Sequence, residues 1–97
     1  LSVKKMTGIY AAIPEAGRGL GWDVSSAYSS NGGDLFPEGG YGHTGYTGTS
    51  IWINPQTETI VILLANRVHP EDKWGTEVVR LRSRVANIVA SSILEEL

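Results

Sequence analysis

The chain has no cysteine, one methionine, one phenylalanine and four prolines in 97 residues. Without cysteine there is no disulfide framework and no thiolate metal site, which leaves reducing and oxidising compartments equally open. Neither sign of charge dominates, since eight basic residues stand against ten acidic ones. No run of either sign is long enough to track a phosphate backbone or an anionic membrane, so no nucleic-acid partner is expected. The longest apolar run, Ile60 to Ala65, is far too short to span a bilayer, and the N-terminus lacks the charged-then-apolar order of a signal peptide. No membrane insertion is therefore expected. H-E-x-x-H and N-x-S/T motifs are absent. His43 and His69, even with Glu71 and Asp72 near the second, do not have spacing that converges on a metal. No metal and no organic cofactor is implied.

What is present has the balance of a single small domain over residues 1–97, 41% hydrophobic and 19% charged. A chain of this size buries only about two-thirds of its unfolded surface, so its stability rests on how well its sheet is covered. It opens on Leu1-Ser2-Val3-Lys4-Lys5-Met6 without a cap signal, which reads as a segment cut from something longer.

Local patterns predict the elements. Leu1 to Tyr10 reads as the end of a helix stopped at Gly8, and Gly19 to Val24 as a short strand. Ser25 to Gly40, rich in Ser, Asn, Gly, Asp and Pro, reads as a long surface loop. Three adjacent antiparallel strands follow: Tyr41 to Gly45, Thr49 to Ile53 with Thr49, Ile51 and Ile53 on one face, and Thr59 to Asn66. The last has no polar alternation from Ile60 to Ala65, which predicts a central strand shielded on both faces. From Trp74 onward, Val78, Leu81, Val85, Ile88 and Ser92 or Ile93 form an apolar helical stripe, with Arg80, Arg82 and Arg84 off it. The predicted class is α+β, an antiparallel sheet with the C-terminal helix on one face and the other face open.

Gly40-Tyr41-Gly42-His43-Thr44-Gly45 matches the G-x-G-x-x-G pattern of dinucleotide turns, but that chemistry needs a helix N-terminus next, and a strand is predicted instead. Trp22, Trp52, Trp74 and the tyrosines could stack on sugar rings, although core and strand packing account for them more simply.

The informative run is Gly42-His43-Thr44-Gly45-Tyr46-Thr47-Gly48-Thr49-Ser50, leading to Ile51-Trp52-Ile53-Asn54-Pro55 and to Leu63-Leu64-Ala65-Asn66-Arg67. With Gly19-Leu20-Gly21-Trp22 upstream and the closing helix, this order resembles the C-terminal portion of the β-lactamase and penicillin-binding-protein superfamily, especially its esterase-like members close to class C. The resemblance implies an α/β/α serine-hydrolase fold in which a Lys-Thr-Gly or His-Thr-Gly triplet on an edge strand lines the active site. It implies that the Tyr46 N–H is an oxyanion donor and that His43, Thr44, Gly45 and Tyr46 contact a small acyl substrate: a β-lactam, an ester or a peptide. It also implies a parent family that is often exported or periplasmic, with the compartment of this chain left open. Histidine in place of lysine makes the positive charge conditional on pH, because imidazole titrates near ~6.5. That departure favours ester or amide substrates over a β-lactam carboxylate.

The same resemblance requires a Ser-x-x-Lys nucleophile and a Tyr-x-Asn or Ser-x-Asn relay. Ser2-Val3-Lys4-Lys5 and Ser29-Ser30-Asn31 fit those patterns literally, and Tyr28-Ser29-Ser30 loosely. The family, however, places its serine far upstream of the triplet, with a helical subdomain between. Two hypotheses follow. One is the C-terminal end of a serine hydrolase, inactive alone, whose open sheet face is covered by a missing N-terminal part or by a second copy. The other is a non-catalytic binding or assembly module derived from the same fold.

Overall fold

The computed structural model describes residues 19–24 and 29–94, and the predicted helix at Leu1 to Tyr10 lies outside them. The observed class is α+β. A 3-10 turn at Ser29–Gly32 precedes strands β1 (Tyr41–Thr44), β2 (Ser50–Asn54) and β3 (Thr59–Leu63), and helix α1 (Gly75–Leu94) closes the chain. The thinnest dimension of the molecule is 20 Å, about the thickness of one sheet plus one helix.

The strands form an antiparallel meander in the order β1-β2-β3. Tyr41 pairs with Ile53 and Thr44 with Ser50, while Ser50 pairs with Leu63 and Asn54 with Thr59. Two turns hold that register. In the first, the Gly45 N–H donates to the Thr49 carbonyl (2.8 Å) and Gly48 takes φ +121°, which an L side chain rarely adopts. In the second, the Asn54 side chain accepts the Thr57 N–H (3.0 Å) and donates to the Pro37 carbonyl (2.8 Å). Both bonds satisfy a side chain that is fully buried.

Register decides the two faces of the sheet. Trp52 shares one face with Gly42, Thr44, Ser50, Val61 and Leu63, and this face is covered. Trp52 itself is 8% exposed. It fits because Gly32 and Gly40 lie against the indole: a Cβ at either would come within 2.4 and 2.7 Å of ring atoms. Helix α1 backs the same layer through Val78, Ala86 and Ala90, all buried. The Asn87 side chain accepts the N–H groups of Asp34 (2.7 Å) and Leu35 (3.2 Å), which ties the helix to the preceding loop. The opposite face carries Ile51 and Ile53 opposite Ile62 and Ile60, and both residues of β3 are 60% exposed.

Several expectations are corrected. Residues 19–24 are not a strand but a bend with a single bridge, Asp23 to Gly42, because the Gly-rich sequence reaches the sheet at one point only. The described part of the Ser25 to Gly40 loop is not merely surface, since Asn31, Gly32 and Gly40 are buried beneath the sheet. Among the described residues β3 is an edge strand rather than a central one, since two short hairpins necessarily put β2 in the middle. Helix α1 buries Val78 of the predicted stripe but not the rest of it: Leu81 and Ile88 are 44% and 65% exposed. The buried row is Val78, Arg82, Ala86 and Ala90, spaced four apart, where the small alanines allow close approach.

Candidate active site

The His-Thr-Gly segment occupies β1 and the residue after it, and β1 is the other edge of the sheet. No helix follows it, which agrees with rejecting a dinucleotide turn. Gly42 exchanges two backbone bonds with Asp23 on the outer side, at 2.8 and 2.9 Å. Gly45, three residues on, instead donates inward to Thr49. Backbone groups alternate sides along a strand, so those of Thr44 also face outward. Tyr46 follows in the turn closed by the Gly48 N–H on the Gly45 carbonyl (3.1 Å), and its own N–H has no hydrogen-bond partner among the described residues. Glycine is required at Gly42, where a Cβ would meet the Ile51 carbonyl oxygen at 2.2 Å, while at Gly45 a Cβ would meet the Thr49 hydroxyl at 2.3 Å and that side chain would have to turn away.

His43 and Thr44 share this edge but lie on opposite faces, as a two-residue period demands. The exposed His43 ring places Nδ1 2.8 Å from the Thr44 carbonyl oxygen, so that nitrogen donates and Nε2 is left available for proton exchange. A hollow of about 280 Å3 is lined by His43, Thr44, Gly45, Thr49, Ser50 and Ile51. A second cleft, of about 360 Å3, is lined by Thr44, Gly45, Tyr46, Arg67, Gly75, Val78, Val79 and Arg82.

The turn that carries Tyr46 is clasped from residues 67–72. The Arg67 N–H donates to the Thr47 carbonyl (2.7 Å), and its guanidinium lies 4.3 Å over the Tyr46 ring. The same guanidinium pairs with Asp72 at 2.7 Å, and the Tyr46 hydroxyl donates to the other Asp72 oxygen. That hydrogen bond and the negative charge of Asp72 raise the phenol above its ordinary value of 10.0. From the covered side, Arg82 Nη2 donates to the carbonyls of Gly45 (3.1 Å) and Thr49 (3.3 Å), bracing both ends of the turn. Burial first, and the charge of Arg67 second, pull the Arg82 pKa down.

Sequence reasoning singled out His43, Thr44, Gly45 and Tyr46, which the structure keeps on one edge. It missed Arg67, Asp72 and Arg82. Only Arg82 left a trace, as the lone charge in a row of small apolar residues four apart. Asn31, from the Ser29-Ser30-Asn31 pattern, is 3% exposed and donates to the Ile51 carbonyl (3.1 Å) on the covered face, so it holds the sheet. Ser2-Val3-Lys4-Lys5 and Tyr28 lie outside the described residues. Among the described residues, Trp52 is core, Trp22 meets Tyr41 edge-on at 5.1 Å, and Trp74 is 47% exposed, so the three do not form one stacking surface. No described group of three His, Asp or Glu side chains could hold a metal, and no described helix is long and apolar enough to cross a membrane.

A meander sheet backed by a C-terminal helix, with a Gly-rich triplet on its edge strand, defines a class of α+β protein rather than an activity. Comparison with known families supplies the next step: the family described as Beta-lactamase matches residues 1–84. The chain belongs to the β-lactamase family. No curated protein and no solved structure matches it significantly.

Proposed function

We propose that this chain is the C-terminal part of a serine hydrolase that acts on a β-lactam, an ester or a D-amino-acid peptide through an acyl-serine, and that it contributes the His43-Thr44-Gly45 strand and the Tyr46 amide. The observation that carries this reading is the Tyr46 N–H, without a partner among the described residues, just past an edge strand whose outer side is bridged to Asp23 at Gly42, in a member of the β-lactamase family. An amide fixed at such an edge acts on charge that develops only in the tetrahedral intermediate, and removing one donor of this kind typically costs about 100- to 1000-fold in rate. The glycines admit the acyl group close to the backbone, and the exposed His43 has a ring nitrogen free to pass protons. The serine and its lysine come from outside this chain, and the reaction is acylation by the substrate carbonyl followed by hydrolysis.

The test is intact mass after incubating the chain with a fluorophosphonate serine-hydrolase probe, with Ser2→Ala as control. The expected outcome is no labelling. Stoichiometric labelling that disappears in the control would make Ser2-Val3-Lys4-Lys5 a working nucleophile and overturn the reading. The second reading is a non-catalytic binding or assembly module derived from the same fold. A hydrophobic dye separates the two: the hydrolase part binds it through the exposed Ile60 and Ile62 face, whereas an evolved module is a cooperatively folded monomer silent to the dye.

A further inference from the structure

An edge strand exposes backbone N–H and C=O groups to any further strand, and folded proteins usually blunt such edges with charge, proline or a bulge. Strand β3 has none of these: Thr59-Ile60-Val61-Ile62-Leu63 is uncharged, lacks proline and pairs residue for residue with β2. Its free groups follow from the register. Gly45 donates to Thr49, so Ser50, Trp52 and Asn54, out of step with Thr49, turn their backbone groups towards β3. Thr59, Val61 and Leu63 meet those groups, and the N–H and C=O of Ile60 and Ile62 point outward, where no described strand lies. Helix α1 runs along the same edge. Val79 faces the β1–β2 turn, whereas Leu81, about 200° further round the helix, lines a hollow of about 240 Å3 with Ala65 and Asn66, just after β3. Ile88, two turns on and on the same flank, stands level with Val61: its neighbour Asn87 meets Gly33, and Gly32 lies against Trp52, the partner of Val61. Leu81 and Ile88 are 44% and 65% exposed. The apolar run of β3 and the apolar stripe of α1 therefore border one uncovered strip.

We propose that a second copy of this chain covers that strip, its β3 pairing antiparallel with β3 about a two-fold axis at Val61. The strand is its own complement. Pairing about Val61 sets Ile60 opposite Ile62 of the copy and Ile62 opposite Ile60, so all four outward groups of each strand are satisfied and like faces of the two sheets stay together. A strand pair alone is small against the ~800 Å2 that each partner gives a standard interface. The Leu81 and Ile88 flank adds to it, because the axis that passes Val61 also brings Ile88 towards Ile88 of the copy. A strand of another polypeptide would fit the backbone edge without that second match. Strand β3 is the edge opposite β1, so pairing there leaves the Tyr46 turn untouched and the proposal stands whether or not the hydrolase reading does.

The test is sedimentation velocity of the chain at rising concentration, with cysteine variants as reporters, since the chain has no cysteine of its own. A reversible monomer–dimer equilibrium is expected. Val61→Cys sets two thiols across a non-hydrogen-bonded pair, with Cα atoms about 4.5 Å apart and within disulfide reach, so oxidised glutathione should give a covalent dimer. Ile53→Cys, on the open face of β2, should give none. Ile62→Pro removes an N–H that the monomer does not use and should weaken dimerisation at least about tenfold with the fold intact. If that variant does not fold, the two cysteine variants decide by themselves. A monomer at every concentration, which would leave the edge to a strand of another polypeptide, would overturn the proposal. So would undiminished dimerisation in a folded Ile62→Pro chain, or cross-linking at Ile53 in place of Val61. None of these outcomes depends on fluorophosphonate labelling.

Discussion

The two faces of the sheet are built from similar residues and have opposite fates. On one, Trp52 is wedged between Gly32 and Gly40 and backed by helix α1, and Val61 and Leu63 are half-buried. On the other, Ile60 and Ile62 lie opposite Ile53 and Ile51 with more than half of each β3 side chain in solvent. Strand β3 is aliphatic on both sides, with Val61 and Leu63 on one and Ile60 and Ile62 on the other, so side-chain type does not explain the difference. What differs is whether another element arrives to remove that surface from water. An apolar face without such cover contributes less to stability and is a candidate contact surface.

Substitutions on each face test the comparison. Trp52→Ala should have the largest effect, about 3–5 kcal/mol by chemical denaturation, because it empties the core of a small domain. Full retention of stability would mean that the covered face is not the core. Gly42→Ala should cost about 1–3 kcal/mol, since its Cβ would meet the Ile51 carbonyl at 2.2 Å and the strands must separate. Arg82→Gln should cost a similar amount, about 1–3 kcal/mol, by leaving the Gly45 and Thr49 carbonyls short of a donor. On the open face Ile62→Thr should change stability by no more than about 0.5 kcal/mol while reducing hydrophobic-dye fluorescence. A large loss there would show that a further element covers Ile62.

A pH titration gives the smallest effect. The Tyr46 pKa is raised by Asp72, so the folded chain keeps this proton where the unfolded chain releases it. The contribution is therefore complete below the ordinary phenol value of 10.0 and is lost as the pH rises through the folded value. Ultraviolet difference spectra should show one tyrosine ionising later than the others, and Asp72→Asn should move it back. If all four tyrosines ionise together, the clasp does not form in solution.

Much of this arrangement is legible in the chain because it is local. Asn54-Pro55-Gln56-Thr57-Glu58 specifies its turn through the Asn54 side chain, and the apolar period after Trp74 specifies a helix. The His-Thr-Gly segment is placed on an edge strand by the family resemblance, and the strand order β1-β2-β3 agrees. Local pattern failed where a distant partner decides the outcome. Leu81 and Ile88 scored as core, yet the helix turned to bury Arg82, whose acceptors at Gly45 and Thr49 lie more than thirty residues away. Asn31 looked like loop, yet its acceptor is on β2.

From the sequence alone come the class of fold, three adjacent antiparallel strands, the position of the triplet and the family resemblance, because turns, periodicity and motif order act over a few residues. Tertiary structure decided which face of the sheet became the core and brought Arg67, Asp72 and Arg82 around the Tyr46 turn. Those outcomes depend on packing volume and on the need of buried polar groups for partners, and both are set between residues far apart in the chain.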